Sequence, residues 1–133
     1  MKLVKRFTCL CICMVLMVSL FIPASAATGS TSVRYSLTRY YTATGNLDLA
    51  EKSVLATTNY ETMADALNIH ITITVRNTAT GATSSVNATP VITLDTAYTF
   101  SSKSAGANEV FMAATSLHRI TTYFESKDIY LSE

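Results

Sequence analysis

Ten consecutive residues restrict this chain more than any other stretch. In Leu67-Asn68-Ile69-His70-Ile71-Thr72-Ile73-Thr74-Val75-Arg76, every odd position is aliphatic and every even one polar. Successive side chains of an extended strand point to opposite faces, so this period of two gives one dry face and one wet face. A helix would scatter the same residues around its axis. The run ends at Asn77-Thr78-Ala79-Thr80-Gly81, whose composition predicts a turn with Gly81 at positive φ.

Other stretches follow the same rhythm less strictly. Val33–Tyr41 alternates and runs out at Thr44-Gly45-Asn46, while Ser53–Thr58 and Pro90–Leu94 read as shorter strands. Pro90 has no amide hydrogen to donate, so its strand starts there or lies at an edge. Asn46–Leu55 has two readings: a helix capped by Asn46 with Leu47, Ala50, Val54 and Leu55 in a stripe, or a loop entering a strand. Tyr60–Ala66 reads as room for one helical turn. Glu109–Phe124 fits a helical stripe as well as an alternation, and its Thr115, Thr121, Thr122 and Tyr123 favour two short strands. Ile129-Tyr130-Leu131 then forms a last edge strand. Short strands with turn signals about every ten residues predict an all-β fold, an antiparallel β-sandwich of immunoglobulin-like type without its Cys-Trp-Cys core.

The N-terminus follows a different rule. Lys2, Lys5 and Arg6 precede an apolar run from Phe7 to Phe21, followed by Pro23 and Ala24-Ser25-Ala26-Ala27. A basic start, a short apolar run and a small-x-small ending describe a secretory signal peptide, cleaved between Ala26 and Ala27. The apolar run is shorter than the roughly 20 residues a membrane-spanning helix needs. All three cysteines, Cys9, Cys11 and Cys13, lie within it. On a helix their thiols would spread around the cylinder with no fourth ligand nearby, so they read as small hydrophobes rather than a zinc site. The domain organisation is therefore a signal peptide at 1–26 and one domain at 27–133, secreted and free of cysteine.

Removing Lys2, Lys5 and Arg6 leaves 7 basic side chains against 9 acidic ones and moves the formal charge from +1 to −2. That balance offers no basic field for nucleic acid, nor a polybasic patch for a membrane surface once the signal is cut. The secreted part carries 20 Thr, 12 Ser and seven Tyr and no Trp. Thr and Tyr suit half-buried strands.

Chemical motifs are few. His70 and His118 are the two histidines, and a zinc site built on them needs a third ligand such as Asp65, Asp95 or Glu125. Their plainer reading is a wet-face position for His70 and a place near a strand turn for His118. No Gly-x-Ser-x-Gly elbow is present, and four glycines leave little for a phosphate-cradling loop. Asp48 and Glu51 are three residues apart and read as a solvated face rather than a glycosidase pair. Tyr40 and Tyr41 are the candidate ligand surface, with one of the two necessarily facing outward on an alternating strand. No cofactor and no metal are expected.

The export segment, the cysteine-free Thr-rich body and the stretch Ser116-Leu117-His118-Arg119-Ile120 together resemble small uncharacterised Sec-exported β-sandwich proteins of Gram-positive, clostridia-type bacteria. The resemblance implies a sandwich and no particular activity. The expected function is surface contact with an extracellular protein or a glycan by a secreted, non-enzymatic domain. Two alternatives stand beside it: a small hydrolase using His70 or His118 with a carboxylate, and a subunit that assembles through exposed strand edges into fibres.

Overall fold

The computed structural model describes residues Ser25–Glu133, and the expected signal peptide up to residue 24 lies outside them. The described chain is all β, with seven antiparallel strands and no helix: β1 (Ser25–Arg34), β2 (Tyr40–Ala50), β3 (Ser53–Asn77), β4 (Thr83–Asn87), β5 (Val91–Ser104), β6 (Glu109–Thr121) and β7 (Ser126–Ser132). They form one continuous hydrogen-bonded sheet rolled into a near-barrel.

β3 is the spine. Along one edge its first half pairs with β2 and its second half with β6, while β5 and then β4 occupy the opposite edge. The alternating decapeptide forms part of this second half, with Leu67, Ile69, Ile71, Ile73 and Val75 all buried. In the first half the buried residues are even-numbered: Val54, Ala56, Thr58 and Tyr60. A one-residue slip would turn this set outward. Ala64 continues this even set and Leu67 begins the odd one, so the parity changes between them, just past the register shift at Asn59/Ala64, and both halves bury the same face. β5 bends at the same level, where Asp95 adopts a φ of 47°. Asp is among the few side chains that take this left-handed conformation readily.

Several local expectations give way to longer strands. Asn46–Leu55 holds no helix: it completes β2, turns at Glu51-Lys52 and enters β3. Leu47 and Leu49 are buried while Asp48 is exposed, a strand alternation that outweighs the helical stripe. Tyr60–Ala66 contains the β3 irregularity instead of a helical turn. Glu109–Thr121 is one strand with a single register shift opposite Thr74/Val75 rather than two. The strand expected over Val33–Tyr41 is cut by a turn at residues 35–39, where the Tyr35 amide donates to the Arg39 carbonyl at 2.9 Å. The polar Ala27–Ser32 stretch belongs to β1, and the expected cleavage site falls near that strand's start, with Ala26 opposite Asp48 and Ala27 opposite Leu47.

Other readings hold. Gly81 has a φ of 73°, and the Asn77 side chain accepts from the amides of Ala79 and Thr80 at 2.9 and 3.0 Å to close the turn. β5 begins just after Pro90, and β7 contains Ile129-Tyr130-Leu131.

β1 and β7 approach each other without pairing in the sheet. Their seam is closed by side chains: a Cβ built on Gly29 would lie 2.8 Å from Ile129 Cγ2 and 2.9 Å from Leu131 Cδ2. Glycine here provides space. At one end of the seam the Glu125 carboxylate accepts from the Arg34 amide, and the Thr122 hydroxyl donates to the Arg34 carbonyl at 2.6 Å.

Candidate functional site

The two histidines sit on neighbouring strands, β3 and β6, at registers one residue apart: His70 faces Leu117 and His118 faces Ile69. Pleat alternation therefore sends them to opposite faces. His70 is exposed on the outer surface and His118 is wholly buried in the interior. They do not converge on one ion. Asp65 and Asp95 are exposed, and Glu125 is held at the β1–β7 seam by the Arg34 amide. Among the described residues no three histidine, cysteine or acidic side chains come together.

His118 corrects the expectation of a place near a turn. Its ring crosses the interior from β6 and lies against Gly45 of β2, where a Cβ would come within 3.0–3.2 Å of three ring atoms. Nδ1 is 2.7 Å from the Thr58 hydroxyl on β3, and Nε2 is 2.8 Å from the Ser116 hydroxyl on β6. A hydroxyl can donate or accept, so both ring nitrogens of the neutral imidazole are satisfied. Burial alone lowers its pKa to about 4, since no carboxylate stands near to favour the charged form. A serine beside a histidine suggests nucleophilic chemistry, but this pair has two hydroxyls and no acid, and both residues are sealed from solvent. The arrangement acts as a polar stitch between β6 and the β2–β3 layer. Sequence reasoning missed it because Gly45 read as a turn residue, whereas its missing side chain makes room for the ring.

His70 borders a shallow depression of about 620 Å³ on the outer face of β3, β6 and β7, together with Thr72, Thr115, Leu117, Tyr130 and Ser132. No acidic side chain lines it. Beside it Arg119 grips Asp128 through two 2.8 Å contacts, which hold the Asp128 carboxyl below its ordinary pKa. That exposed pair orders the surface and leaves neither charge free for catalysis.

The tyrosine pair divides as alternation requires. Tyr40 is exposed, with Arg34 stacked 5.3 Å from its ring centroid and donating to its hydroxyl. Tyr41 turns inward and meets Tyr35 and Tyr60 edge to face, at centroid distances of 5.4 and 6.4 Å. They share no platform.

Four exposed apolar side chains lie along β5. Ile92, Leu94, Tyr98 and Phe100 project outward at 63%, 67%, 48% and 55% exposure, and the last two rings lie 6.3 Å apart. Among the described residues β5 pairs with β3 on one side and with no strand on the other. A depression of about 510 Å³ runs along it, bordered by Val91, Thr93 and Tyr98–Ser102. The Thr96 hydroxyl donates to the Tyr98 carbonyl at 2.9 Å and accepts from the Tyr98 amide at 3.3 Å, and the edge beyond it, Thr99–Ser104, faces no described strand and is the part an incoming strand can pair with. The sequence signal was present in Thr96–Ser102, a stretch free of charge and proline, but its edge position follows from topology and not from pattern. A smaller apolar group, Leu37, Tyr123 and Phe124, caps the turns at the Arg34–Glu125 end.

Comparison with known protein families finds no family model that matches the chain, and comparison with curated proteins finds no match either.

Proposed function

We propose that this is an exported, non-enzymatic contact domain that works through the free edge and outer face of β5. The observation that carries this reading is the row Ile92, Leu94, Tyr98 and Phe100 on a strand whose second edge pairs with no described strand. Apolar side chains left in water on a long edge are a liability that stable domains ordinarily guard with charge, proline or a covering loop. Between Thr96 and Ser102 this edge has none of the first two. Strand addition fits it: backbone hydrogen bonds hold the partner, and alternate side chains select it. Export through residues 1–26, with cleavage after Ala26, puts this surface outside the cell, and an immunoglobulin-like sandwich is the kind of fold such a domain would use.

A hydrolytic role gains less support, since His118 is sealed in the core and His70 has no acidic neighbour in its depression. The test is a protein and glycan array probed with the exported protein and with Tyr98→Ser/Phe100→Ser. Specific binding lost in the double variant supports the reading. Silence on the array combined with turnover of a hydrolase substrate overturns it.

A further inference from the structure

We infer that the outer face of β6 carries a second binding site, for one ring of a neutral saccharide, in the slot between His70 and Tyr130. It lies away from the β5 edge and does not rest on the reading of that strand.

β6 runs between β3 and β7, and the pairing sets outward residues in rows across the three strands. One row holds His70, Leu117 and Tyr130, and the next holds Thr72, Thr115 and Ser132. Leu117 is half-buried and forms a floor, while His70 and Tyr130 stand exposed on either side of it. Their backbones are two strand spacings apart, about 10 Å. The depression of about 620 Å³ opens over this floor and reaches the hydroxyls of the Thr72 row. Tyr130 is 73% exposed yet tethered. Its hydroxyl donates to the Asp128 carboxylate at 3.4 Å, and Arg119 holds that carboxylate through two 2.8 Å contacts. A ring restrained in this way gives up less freedom when a ligand packs on it.

The lining selects the ligand. No Lys, Arg, Asp or Glu side chain borders the depression, and the adjoining Arg119 and Asp128 neutralise each other, so nothing here favours an ionic molecule. A purely apolar ligand would cover three hydroxyls and an imidazole without replacing their bonds to water. An extended peptide has no strand edge to join, because β6 is paired along both sides at this level. A sugar ring meets both requirements. Its C–H face packs on Leu117 and Tyr130, and its hydroxyls exchange hydrogen bonds with His70, Thr115 and Ser132. The Thr72 hydroxyl already donates to Asn87 at 2.9 Å, which turns its lone pairs toward the ligand as an acceptor.

The test is amide NMR titration of the exported protein with cellohexaose, maltohexaose and chitohexaose, and with oligogalacturonate as an anionic comparison. At least one neutral sugar should shift the amides of His70, Thr115–Leu117 and Tyr130–Ser132 and leave Ile92–Ser102 in place. Tyr130→Ala should weaken that binding about tenfold, and Thr115→Val and Ser132→Ala about threefold each. All three positions are exposed, and valine keeps the branched shape a strand prefers, so the losses read the site and not the fold. Tyr98→Ser/Phe100→Ser should bind the sugar as wild type does. No shift with any neutral sugar overturns the inference, as do shifts confined to β5, tighter binding of oligogalacturonate, or a Tyr130→Ala variant that binds like wild type. Sugar binding at this site by a protein whose β5 variant loses no array signal supports this inference and removes β5 as the contact surface.

Discussion

His118 shows most plainly how single residues decide this interior. Its neutral ring is favoured by burial, with an ordinary pKa of 6.5 in the unfolded chain and about 4 in the fold. Below pH 6.5 the unfolded state takes up the proton first. The stability tied to the neutral ring is therefore complete above about pH 6.5 and is lost as pH falls toward 4. At about 1.4 kcal/mol per unit the loss reaches roughly 3 kcal/mol. Urea unfolding at pH 7 and pH 4 measures it. The Asp128 carboxyl, held low by Arg119, shifts stability in the same direction, but the pair is exposed and contributes little. In His118→Leu the extra pH dependence should disappear. Stability at pH 7 should also fall, because the Thr58 and Ser116 hydroxyls lose their partner at about 1–3 kcal/mol each. Gly45→Ala should cost about 1–3 kcal/mol, since the ring cannot retreat from the new Cβ without giving up a hydroxyl.

At the scale of elements, β3 organises the sheet and packing seals it. Ile71→Ala, in the fully buried stripe, should lower stability by about 2–5 kcal/mol in denaturant titration. Gly29→Val should loosen β7 against β1, since its first side-chain carbon already meets Ile129 and Leu131; faster amide exchange in Ser126–Ser132 would report it. These elements were legible in the sequence where one face stayed dry without interruption. Leu67–Arg76, the Gly81 turn, and the strands after Pro90 and around Ile129 follow from local pattern alone. The full length of β3 did not, because the buried parity switches from even to odd between Ala64 and Leu67, just past the register shift at Asn59/Ala64, and this breaks the period. Asn46–Leu55 misled for a related reason: Leu47, Ala50 and Val54 fit a helical spacing, and only pairing of β2 with β1 and β3 makes it a strand. The buried site was the least legible part. Thr58, Gly45 and Ser116 carry no distinguishing pattern until the fold brings them to His118.

At the scale of the whole molecule the described residues form a near-barrel on which β5 presents the long unpaired edge, and the proposed export segment precedes it. Cleavage between Ala26 and Ala27 should give a product without cysteine, its first residue opposite Leu47 in β1. Ala26→Leu should block processing, because the subsite beside the scissile bond admits only small side chains. Intact mass of the secreted protein reads both outcomes; a mass that includes Cys9, Cys11 and Cys13 contradicts the export reading. With no thiol left, reducing agent should leave the melting temperature unchanged. The central claim concerns β5, and amide hydrogen exchange of the protein, alone and with a partner captured on the array, tests it most directly. The partner should slow exchange within Thr96–Ser102 and leave β1, β4 and β7 as they were. Protection gained at those other strands, or none within Thr96–Ser102, would contradict it.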